Sequence, residues 1–102
     1  MTTGTELIVR GLIDKLIEDQ LDYSVLGKTH QLFESLKTFG AIRVDRRDAV
    51  FGYIMGAVQS RFGNHFNEIY NRYPNIEEVA IAIDVFQKRM LQIRSRIDET
   101  FT

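Results

Sequence analysis

Residues 75–99 read NIEEVAIAIDVFQKRMLQIRSRIDE, and their periodicity sets the fold class. Ile76, Val79, Ile83, Phe86, Met90, Ile93 and Ile97 recur at alternating spacings of three and four. That is the seam of a helix laid along a neighbouring helix. Asn75 followed by Glu78 has the form of a capping box, with Asn as N-cap and Glu three positions on. The pattern predicts a helix from Ile76 to Glu99. Pro74, the single proline, ends the preceding helix, because the residue before a proline is pushed out of helical geometry.

Upstream of it, a third helix is predicted from Arg46 to Tyr73, with a bend near Gly63-Asn64. Asp45 suits its N-cap and Asp48 its first turn, where the helix dipole favours an anion. Its apolar face is Val50, Phe51, Ile54, Met55, Val58, Phe62, Phe66, Ile69 and Tyr73. A second, shorter helix is predicted from Val25 to Phe39, with Leu32, Phe33, Leu36 and Phe39 on one narrow face and Gly40 as its stop. Ala41 to Val44 is expected to be an extended connection. The first helix is predicted from Thr5 to Leu21. Ile8, Val9, Leu12, Ile13, Leu16, Ile17 and Leu21 spread over roughly 220° of its circumference, more than one partner helix covers. Asp14, Glu18 and Asp22 form its polar strip.

Composition agrees and excludes several classes. The chain has 102 residues, enough for one domain. Its 13 basic and 14 acidic side chains give a net charge of -1, which argues against a coat of positive charge for nucleic acid. With no cysteine, a disulfide scaffold, a thiol nucleophile and a Cys-ligated metal are excluded. No window reaches the roughly 18 apolar residues of a membrane span, and the N-terminal residues lack a signal-peptide pattern. A cytoplasmic protein with no membrane association is expected.

Two features point to self-assembly. Gly52, Gly56 and Gly63 project together at roughly 160–200° on the third helix, opposite an apolar face centred near 60°. Ala49 and Ser60 lie close by. An interior glycine costs about 1 kcal/mol relative to alanine, so the five positions are read as a close helix crossing, within the chain or across a twofold axis. Then the fourth helix, with Arg89 and Arg96 at g positions and Arg94 at e: a free parallel coil would set Arg89 against Arg94 of its mate, and an antiparallel one also brings like charges together. Those arginines are better matched to the acidic strip of the first helix. Ile81 and Val85, on the far side of the seam, imply that the same helix is covered on two sides. A second copy of the chain would cover both this helix and the wide arc of the first.

Other motifs are weaker. His30 with Glu34 and His65 with Glu68 lack the partners of a di-iron set, and no metal or cofactor is expected. Gly27-Lys28-Thr29 lacks the first glycine and the preceding strand of a phosphate-binding loop. Arg43, Arg46 and Arg47, with Arg61, could contact phosphate near a helix N-terminus, although Asp45 and Asp48 reduce their field. Asp14, Glu18 and Asp22 could hold a divalent ion as a hydrolase would. The expectation is an all-α, four-helix, bundle-like single domain over residues 1–102, with two short and two long helices. It would be a non-catalytic interaction or assembly module acting as a homo-oligomer, a dimer or larger, with room for another protein partner. A small nucleic-acid-binding protein using the arginines, and a metal-dependent hydrolase using the carboxylates, are the alternatives.

Overall fold

The computed structural model describes residues 4–40 and 45–101. Every regular element among them is an α-helix: α1 Gly4–Leu21, α2 Tyr23–Thr38, α3 Arg46–Tyr70, α4 Ile76–Lys88 and α5 Met90–Thr100. The expected connection at Ala41–Val44 lies outside the described residues.

Short polar side chains set the helix ends. Asp22 accepts hydrogen bonds from the N–H groups of Ser24 at 3.0 Å and Val25 at 3.4 Å, so α2 starts one residue after α1 stops. Asp45 caps α3 through the N–H of Arg47 at 2.8 Å. Asn71 ends α3 in the left-handed region, φ 56°, which asparagine tolerates better than most residues. The helix therefore stops at Tyr70, three residues short of the expected Tyr73, and it runs unbroken through Gly63-Asn64. The capping box of α4 forms as predicted, with Asn75 and Glu78 each receiving the other's N–H at 2.9 Å.

Five helices replace the four expected, because the predicted fourth helix divides at Arg89. The Arg89 N–H is shared between the carbonyls of Val85 and Phe86, both at 3.2 Å, a tightened turn with φ -103° and ψ 5°. Its side chain is drawn onto α1, where it donates to the Asp14 carbonyl at 3.1 Å and pairs with Glu18. Arg10 with Asp84, and Arg96 with the Leu21 carbonyl, repeat nearly the same offset along the chain. So α4 and α5 run beside α1 in the same direction. The pairs Arg47–Asp98 and Arg94–Asp48 set α3 antiparallel to α5.

One continuous core joins all five helices. α1 contributes Val9, Ile13, Leu16, Ile17 and Leu21, all at most 3% exposed. Most of its wide apolar arc is covered within the chain, since α2, α3 and α4 all pack against it; Leu12 is partly buried and Ile8 stays 44% exposed. The seam of the last helix is a second correction. α4 buries Ala82, Val85 and Phe86, α5 buries Ile93 and Ile97, and Ile76, Val79 and Ile83 stay exposed. On α2 the buried residues are Leu26, Thr29 and Phe33, while Leu32 and Phe39 from the expected face are exposed.

Candidate functional site

Both α3 and α4 pack on α1, yet contact between the two is sparse. They leave an apolar groove of about 400 Å³ with Ile13 of α1 among its lining. Phe51, Met55, Gln59 and Phe62 line it from α3, Val79, Ile83 and Gln87 from α4, and Met90 from the start of α5. At one point the walls meet, where the rings of Phe51 and Phe86 stand edge to face at 5.8 Å. Pro74 contributes to the lining, and nearby the Tyr73 ring lies 4.0 Å from where a Cβ on Gly63 would sit.

Among the described residues no charged side chain lines this groove, and the polar side chains lining it are two carboxamides, Gln59 and Gln87, each donor and acceptor at once. The uncharged surface continues around α3. At 100° per residue Gly52, Gly56 and Ser60 follow Phe51, Met55 and Gln59 on the outward side, and all three are exposed. A Cβ added to Gly52 or Gly56 would meet nothing within 4 Å. Among the described residues no helix crosses α3 at these two glycines, so the intrachain form of the expected crossing is not formed there. Ala49 is partly buried against the core, and Gly63 is half-buried in the groove wall.

The seam periodicity places Val79, Ile83 and Met90 in a core, whereas they line an open groove that the sequence reading does not contain. A signal was present. From Ala49 to Ser60, twelve consecutive residues carry no charge, although the helix exposes Gly52, Tyr53, Met55, Gly56, Gln59 and Ser60. An exposed helical face normally bears charge; an uncharged one marks a contact surface.

The arginines are placed differently. Arg43 and the side chain of Arg46 lie outside the described residues. Arg47 pairs with Asp98 at 3.5 Å. Arg94 pairs with Asp48 at 3.2 Å and stacks over Phe51 at 4.2 Å. The cleft of about 180 Å³ at this end of α3 is lined by Asp45, Asp48 and Asp98 as well as by the two arginines. Arg61 lies fourteen residues along α3 from Arg47, about 21 Å at helical rise, in a depression shared with Glu18, Asp19 and Asp22. The described arginines form no common basic face.

The acidic strip is likewise engaged. Arg89 lies against Asp14 and Glu18, as the sequence led us to expect of an arginine from the last helix, and Asp22 caps α2. His30–Glu34 and His65–Glu68 are local pairs at 3.3 and 3.7 Å. Among the described residues no three His, Asp or Glu side chains come together as a metal site. No helix among them is long and apolar enough to cross a membrane. The shifted carboxyls are structural. Arg72 holds Glu78 below the usual range against the opposing effect of burial, and the Asn75 N–H adds to it. Lys88 and Arg10 do the same for Asp84. In comparisons with protein families, with curated proteins and with solved structures, nothing matches the chain.

Proposed function

We propose that this chain is a non-catalytic assembly module that works as a homo-oligomer, joining copies through the open face of α3 and α4. The observation that carries the reading is the uncharged apolar groove between them. Met55, Val79 and Ile83 stand 39–44% exposed along it, and no described helix covers them. Two copies joined here would complete a helical bundle across the contact, each α3–α4 layer covering the other.

Charge supports it too. In a twofold contact the residues near the axis face their own counterparts, so a charge there meets a like charge. From Ala49 to Ser60 α3 carries none, and at the end of the groove Arg94 is paired with Asp48. Light scattering across the micromolar range tests the reading. The expected mass is at least twice 11.8 kDa, falling toward the single-chain value on dilution. A mass of 11.8 kDa throughout would overturn it.

A further inference from the structure

We infer that the groove is filled by α3 of a second copy, and that the two α3 helices cross at Gly52 and Gly56 about a twofold axis. The inference rests on the assembly reading and specifies its geometry. If α3 of the second copy lies over the groove, symmetry puts α3 of the first over the second groove, so the two helices must lie side by side. The side that α3 then turns to its counterpart runs from the groove wall, Met55 and Gln59, round to Gly52 and Gly56.

Both glycines are exposed and nothing of this chain stands within 4 Å of a Cβ position at either, so a neighbouring backbone meets no side chain from these two positions. Met55, 39% exposed at the edge of the groove, is the flexible apolar side chain that an irregular cleft accommodates best. Gln59 can pair with the same carboxamide of the second copy, each supplying one donor and one acceptor. A partner helix with a charged face would meet no counter-charge among the described lining residues, Arg94 over Phe51 at the groove's end being paired with Asp48.

The absence of native cysteine makes cross-linking a clean test. A disulfide requires Cα atoms within about 7 Å, and only a residue beside the axis meets its own counterpart that closely. Gly56→Cys and Gly52→Cys, under mild oxidation, should form disulfide-linked dimers as the main product. Gln31→Cys, exposed on α2, should remain largely single-chain under the same conditions. Gly56→Leu should shift the mass toward one chain while circular dichroism stays helical. If the parent is dimeric by mass but neither glycine position cross-links above the Gln31→Cys control, the α3 crossing is overturned and assembly through another contact stands. A Gly56→Leu variant with unchanged dimer mass overturns it equally. A parent that is monomeric overturns both this inference and the assembly reading beneath it.

Discussion

Glu78 shows how one side chain fastens two helices. It is only 7% exposed, and it keeps its charge because every nearby donor is aimed at it. Arg72 reaches it through both terminal nitrogens at 2.8 and 2.9 Å, and the Asn75 N–H adds a third bond at 2.9 Å. The Arg72 guanidinium lies over the Phe66 ring at 4.9 Å, so the pair also packs the end of α3. With its carboxyl held below the usual range, Glu78 contributes stability that is fully present at neutral pH. That contribution is lost as pH falls below the unfolded-state value, about 4.3, and on through the lower folded one. Glu78→Gln should therefore lower Tm by several degrees at pH 7, and the gap to the parent should close in acid. Thermal melts from pH 7 to pH 2 with a constant gap would show that the charge plays no such role.

At the scale of the helices, the phase of α4 and α5 can be tested directly. Ile93→Ala should cost about 2–5 kcal/mol, since Ile93 is fully buried. Ile76→Ala, at a position 88% exposed, should stay within about 0.5 kcal/mol. Equal losses in chemical denaturation would restore the continuous seam. The sequence marks where helices begin and end because those signals are local: the capping box at Asn75, Asp45 before α3, and Pro74 as a barrier. It does not mark which side of α4 turns inward, because Ile76, Val79, Ile81, Ile83, Val85 and Phe86 encircle that helix. The choice is tertiary. Arg89 docks on Asp14 and Glu18, the helix divides there, and the Val85 side faces the core. The groove was hidden for the same reason, since each of its α4 residues is equally plausible as core. Only the missing charge between Ala49 and Ser60 distinguished an open face from a buried one. The arc of α1 is legible as a buried surface, and three helices of the same chain cover most of it, leaving Ile8 exposed.

The whole molecule measures 47 × 24 × 22 Å, with a radius of gyration of 15.0 Å, against about 13 Å for a compact chain of this length. An elongated chain of this size has little interior, and it leaves a long side on which an apolar groove stays open. A second copy on that side would bury the groove and thicken the short dimensions of the particle. Ile83→Glu places a charge in the α4 wall of the groove at a position already 44% exposed, so the single chain should still fold. Sedimentation equilibrium on the parent and Ile83→Glu, with helicity checked by circular dichroism, separates the possibilities. The expected result is a parent of at least twice 11.8 kDa beside a helical variant at 11.8 kDa. Equal masses for the two proteins would contradict assembly through α3 and α4.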